Sequence, residues 1–165
     1  MKRYNVPFIA NPDDRCTVAV VAMVMAYFMP KRHFDMAEIE KICGYEKGRS
    51  IWKAESMLNL ARLGFQLHWI EDFDHHKFMA DPKSYLRSIL DDDAYQWQVT
   101  HGDLEKEAER MRQYIKSGLP LEQRQATKED IKRFLDDGWL VHLEVNANTL
   151  SDKPGYEGHS VLVIG

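Results

Sequence analysis

The sequence predicts an α+β domain, with helices first and strands last. Three observations carry this. Residues 16–29 run without a charge, a glycine or a proline, which is too long for one strand and too short for a membrane span. Residues 139–145 and 159–164 are two apolar runs joined by a loop rich in Asn, Asp, Gly and Pro, the pattern of neighbouring antiparallel strands. Between these ends, residues 103–117 repeat apolar side chains at helical spacing, with charged residues on the other faces.

In chain order, residues 4–10 read as extended chain, because Pro7 cannot donate to a central ladder. Pro12, Asp13 and Asp14 are start signals for a buried helix that puts Cys16 in its first turn, and Pro30 is its stop. Asp35 and Glu38 form a capping box for a short helix to about Cys43, which Gly44 ends. Ser50 is expected to cap the next helix, through Ala54, Met57, Leu58 and Ala61, with Gly64 as its end. Residues 65–70 alternate and read as a strand, and residues 71–83 as a solvated polar loop around His75 and His76. Residues 84–90 suit a helix, followed by an acidic turn at 91–93 that lacks the ligand pattern of a calcium loop. Asp103 opens the amphipathic helix whose stripe is Leu104, Ala108, Met111 and Ile115. Thr127 and Asp130 form a further capping box, and Gly138 stops the helix that follows. Residues 72–121 are more polar than their surroundings. They are expected to form a helical insertion or lid within a single domain spanning residues 1–165, because so short a piece can bury little core alone.

The 165 residues are 44% hydrophobic and 29% charged, with a net charge of −4, an ordinary globular composition of one-domain size. Lys and Arg are scattered, which argues against a nucleic-acid partner. No apolar segment is long enough for a membrane span, and no signal pattern opens the chain, so the expected location is cytoplasmic. The two cysteines, Cys16 and Cys43, lie 27 positions apart. That spacing excludes a CxxC zinc pair and makes a disulfide framework unexpected. Cys43 reads as a core residue. No metal site and no cofactor are required by any motif.

Cys16 and His159 carry the chemistry. A cysteine at a helix start meets unpaired N–H groups and the positive end of the dipole, both of which favour thiolate. His159 opens the last apolar run, directly after Gly158. A thiolate nucleophile needs a base or imidazolium partner from elsewhere in the fold, and cysteine early with histidine late is the papain order. Each residue by itself would be an ordinary structural one.

Residues 6–16, Val-Pro-Phe-Ile-Ala-Asn-Pro-Asp-Asp-Arg-Cys, with the apolar run to Phe28, resemble the nucleophile region of peptidase C39-like proteins, bacterial papain-fold cysteine peptidases. Residues 54–67, with Leu-Ala-Arg-Leu-Gly-Phe, resemble that family's following helix and strand. Residues 130–145 and 158–165 resemble its late helix, strand and His-bearing strand. Together the matching blocks cover about two thirds of the chain. The resemblance implies a papain-like fold, N-terminal helices packed on a C-terminal antiparallel sheet, with Cys16 as nucleophile and His159 as general base. It implies a peptide or protein substrate and hydrolysis of a peptide or amide bond.

This chain departs from that pattern at three places. The family has a Gln upstream of its Cys as oxyanion donor; here the nearest amide is Asn11, five positions before Cys16. Thr17 stands where the family commonly has Gly. An Asp or Asn on a later strand normally orients the histidine, whereas this chain stops at Gly165, six residues after His159. A truncated chain is the expectation, with Asn146, Asn148 and Asp152 as upstream candidates for that role. These departures frame the alternative, a catalytically impaired C39-like module that binds a peptide or partner. A third possibility is acyl transfer on the same fold.

Overall fold

Helix α1 (Cys16–Phe28) forms on the apolar run. The computed structural model describes residues 2–10 and 15–165, so Pro12, Asp13 and Asp14, the expected start signals, lie outside the described residues. Arg15 is the N-cap residue and makes no side-chain capping bond. Val18, Ala19, Val20, Val21, Ala22 and Met25 are buried, so most of the helix circumference faces protein. Helix α2 (Met36–Cys43) starts at the expected capping box: Asp35 N–H donates to Glu38 Oε2 at 3.1 Å, and Glu38 N–H to Asp35 Oδ1 at 2.8 Å. Gly44 then takes φ +66°, a left-handed conformation that ends a helix at little cost only for glycine.

The chain forms two compact units, one from residues Met1–Glu40 with Thr127–Gly165, the other from Lys41–Ala126. In the first, helix α8 (Lys128–Asp136) opens on the reciprocal Thr127–Asp130 box. Strands β3 (Val141–Asn146) and β4 (Gly158–Val163) then pair antiparallel, with Val145 opposite His159 and Glu144 opposite Ser160. A four-residue helix α9 (Ala147–Leu150) lies in their connection. Helix α1 packs on β4. The N-terminal segment is extended as expected, and Tyr4 N–H donates to the Ile164 carbonyl at 2.8 Å. The molecule is thus mixed helix and strand with small sheets, an α+β arrangement.

The second unit is helical. It contains α3 (Lys53–Arg62), α4 (His75–Ala80), α5 (Pro82–Ile89), α6 (Asp92–His101) and α7 (Leu104–Lys116). One core joins Ala54 and Leu58 of α3 to Trp69, Met111 and Tyr114; a second joins Phe78, Leu86, Leu104 and Ala108. Within it, the Arg110 guanidinium contacts both Glu107 and Glu55. Burial pushes the Glu107 carboxyl up to about 7.

The structure departs from four local expectations, the first being the acidic turn at 91–93, where Asp91 is instead the N-cap of α6 and Asp92 and Asp93 form its first turn. Ser50 does not cap α3, whose N-cap is Trp52. The Ser50 hydroxyl instead donates to Gln98 Oε1 at 3.2 Å and its N–H to the His101 carbonyl at 2.9 Å. The strand expected at 65–70 shrinks to β1 (Trp69–Glu71), because its parallel partner β2 (Leu121–Gln123) offers only three positions. The polar stretch 71–83 is not a solvated loop: α4 begins at His75, which is only 4% exposed. Its ring packs edge-on to Trp69, with Nε2 2.9 Å from Glu71 Oε1.

Candidate active site

Cys16 is the first residue of α1 and half-buried. The Ser160 backbone N–H donates to its sulfur, N to Sγ 3.4 Å. Ser160 is the residue after His159 on β4, so a cysteine near one end of the chain touches the histidine-bearing strand near the other. Sulfur accepts at longer range than oxygen, so 3.4 Å is a bonding distance here. Arg15, next to Cys16, is held in an ion pair with Glu40 on α2.

The strand pleat sorts the neighbouring side chains. Side chains alternate along a strand, so Ser160 shares a face with Glu144 opposite, and His159 shares the other face with Val145. On the first face a polar chain runs from the buried seam out to an exposed carboxylate. The Thr17 and Ser160 hydroxyls are 2.8 Å apart, Ser160 Oγ donates to Glu144 Oε1 at 2.5 Å, and His142 Nε2 lies 3.0 Å from the same carboxylate oxygen. Thr17 is 7% exposed and Ser160 4%. Buried hydroxyls without partners would cost about 1–3 kcal/mol each, and here each has the other. Thr17 is therefore a bonded residue of the helix–strand seam. From sequence only Thr17 of this chain stands out, as a departure from the resembled pattern and not as a bonded residue. The signal was present: His142 and Glu144 are polar at period two in an otherwise apolar run, which marks one face of a strand as polar.

Asn11, the expected oxyanion donor, lies outside the described residues. Cys16, Thr17 and Val18 lie in the first turn of α1, whose N–H groups have no acceptor within the helix itself. Of the candidates for orienting His159, Asn146 is engaged in the β3–β4 connection. Its Oδ1 accepts from the Asn148 and Glu157 N–H groups at 3.1 and 3.0 Å, and its Nδ2 donates to the Gly155 carbonyl at 3.0 Å. Asn148 Nδ2 donates to the Pro154 carbonyl at 3.2 Å. Asp152 is exposed, at φ 54°. All three serve the connection. Cys43 is buried at the end of α2 and unbridged, as Cys16 is.

Among the described residues no group of three or more His, Cys, Asp or Glu side chains could hold a metal ion, and no helix is long and apolar enough to cross a membrane. Comparison with protein-family models, with curated proteins and with solved structures gives no match to this chain.

Proposed function

We propose that this protein is a thiol hydrolase of the cysteine-peptidase type on a papain-like domain, with Cys16 as nucleophile and His159 as general base. The observation that carries it is the Ser160 N–H on the Cys16 sulfur, which joins a helix-start cysteine to the histidine-bearing strand across almost the whole sequence. The Cys16 thiolate adds to a peptide or amide carbonyl carbon. The oxyanion is met by first-turn N–H groups of α1, Cys16's own among them. Collapse breaks the C–N bond while the His159 imidazolium gives its proton to the leaving amine. His159 then takes a proton from water, the hydroxide adds to the thioester, and the acid leaves with the thiolate restored.

Cys16→Ala removes the sulfur that forms the thioester in this assignment. Turnover of fluorogenic peptide amides is expected to vanish while the circular dichroism spectrum is kept; hydrolysis that survives in this variant refutes the assignment.

A second reading is favoured by one observation. The Asn146 and Asn148 amides, candidates for orienting His159, are consumed within the β3–β4 connection. A cysteine–histidine pair without an orienting partner is a weaker catalyst, and the surface around Cys16 would then serve as a peptide-binding site. Alkylation of Cys16 by iodoacetamide near pH 6 separates the two: a rate well above that of free cysteine belongs to an enzyme, an ordinary rate to a binding module.

A further inference from the structure

Resting on the assignment of Cys16 as nucleophile, we propose that Glu144 is a positioning residue for the Cys16 thiolate, acting through Ser160. The Glu144 carboxylate holds the Ser160 hydroxyl at 2.5 Å, and that hydroxyl is 2.8 Å from Thr17 Oγ1 on the first turn of α1. Ser160 thus has two attachments to the start of α1, its side chain to Thr17 and its backbone N–H to Cys16 Sγ. The first fixes the second. With the hydroxyl pinned between a carboxylate and Thr17, β4 cannot slide or twist at Ser160 without breaking both bonds, of which the one to Thr17 is buried. The N–H therefore stays aimed at the sulfur. Thr17, a departure from the glycine of the resembled family, is the residue that makes this seam possible, because glycine offers no hydroxyl.

The sign of the effect separates positioning from plain electrostatics. A negative carboxylate near a thiolate disfavours it, so loss of the Glu144 charge alone would make Cys16 more acidic. Loss of the seam would make it less acidic, because an N–H bond to the charged form is weakened. Among the described residues, the other charged or titratable groups around the seam are His159 and His142 on the strands, Arg15 beside Cys16 with its partner Glu40, and Tyr156, whose Oη would lie 3.1 Å from a Cβ at Gly158.

The experiment is the pH–rate profile of Cys16 alkylation by iodoacetamide in the full chain, followed on the Cys16 peptide by mass spectrometry so that Cys43 does not contribute. The wild type is expected to alkylate faster than free cysteine at pH 6. Glu144→Ala and Ser160→Ala are expected to alkylate roughly five-fold more slowly at pH 6, a typical loss for a bond to a charged group that is loosened rather than removed. Glu144→Gln, which keeps the acceptor and removes the charge, is expected to be at least as fast as wild type. A Glu144→Ala protein as fast as wild type or faster overturns the proposal, as does a Glu144→Gln protein as slow as the alanine variant. A residue that only supported the fold would lower the melting temperature and leave the profile unmoved. A wild-type thiol that titrates like free cysteine overturns both the nucleophile assignment and this proposal. An acidic thiol that is indifferent to Glu144 and Ser160 but raised in His159→Ala overturns the positioning role alone.

Discussion

Burial pushes the Glu107 carboxyl up to about 7, with Asp103 and Glu46 adding in the same direction and Lys106 opposing. The side chain is 5% exposed on α7, and the one guanidinium against it, Arg110, is shared with Glu55. One cation facing two carboxylates leaves a net negative charge in a poorly solvated place, which is the physical reason to hold a proton there. Below pH 4.5 folded and unfolded chains both carry the proton and Glu107 contributes no slope. Between 4.5 and about 7 the unfolded chain has released it while the folded chain keeps it, so stability falls as pH rises. Above about 7 the penalty is complete. Glu107→Gln keeps an oxygen for Arg110 and never ionises. It is expected to be more stable than wild type at pH 8, by on the order of 2 kcal/mol, with the difference shrinking toward pH 5. Urea unfolding of both proteins at the two pH values measures this, and equal stabilities at pH 8 would refute the buried-proton account.

Elements differ in what holds them, and α6 is the extreme case. It has no buried residue, although Tyr95 and Val99 lean on the Phe78–Leu104 core. Its start rests on Asp91, whose Oδ1 accepts from the Ala94 N–H at 2.8 Å. An N-cap carboxylate contributes about 1 kcal/mol, a large share for a helix with little packing. Asp91→Ala is expected to speed amide exchange across residues 94–101 by roughly five-fold while leaving the global melting temperature nearly unchanged. Slowed exchange, or a large global loss, would contradict local capping. Local signals of this kind were legible in the sequence. The Asp35–Glu38 and Thr127–Asp130 boxes are read from residue type and spacing, and both exist as bonds. So were the uncharged run of α1 and the two late strands. What was illegible depended on distant partners. Ser50 has the composition of a cap, yet Gln98 claims its hydroxyl. Residues 65–68 alternate like a strand, yet β2 ends after three positions. His75 sits in a polar stretch, yet Trp69 and Phe73 cover its ring. The candidate site divides the same way. Cys16 and His159 are conspicuous as residue types, whereas the Thr17–Ser160–Glu144 seam exists only once β4 meets α1.

At the scale of the whole molecule, the two ends of the sequence build one unit and residues Lys41–Ala126 build the other. Every side chain argued to act on a substrate, and the seam behind it, belongs to the first. The composition shift at Asp72 is visible in the sequence. The observed compact unit begins earlier, because Ala54 and Leu58 of α3 share a core with Met111 and Tyr114 of α7. A unit with two apolar clusters of its own has the means to fold alone. Its first residue falls inside α2, so a cut there would expose half a helix. Residues 35–126 keep α2 whole, with its Asp35–Glu38 box and the buried Cys43. This fragment is expected to be helical and to unfold cooperatively in urea, with an m-value of about 1 kcal/mol/M. Trp52 and Trp69, both in contact with its cores, report the transition by fluorescence. Besides burial, the groups that set the Glu107 shift lie within the same residues, Asp103 and Glu46 raising it and Lys106 opposing. Glu107→Gln is therefore expected to stabilise the fragment at pH 8 as it stabilises the full chain. A fragment that folds but shows no such gain would place the origin of the Glu107 shift outside this unit; one that melts without a sigmoidal transition would show that the unit depends on the rest of the chain.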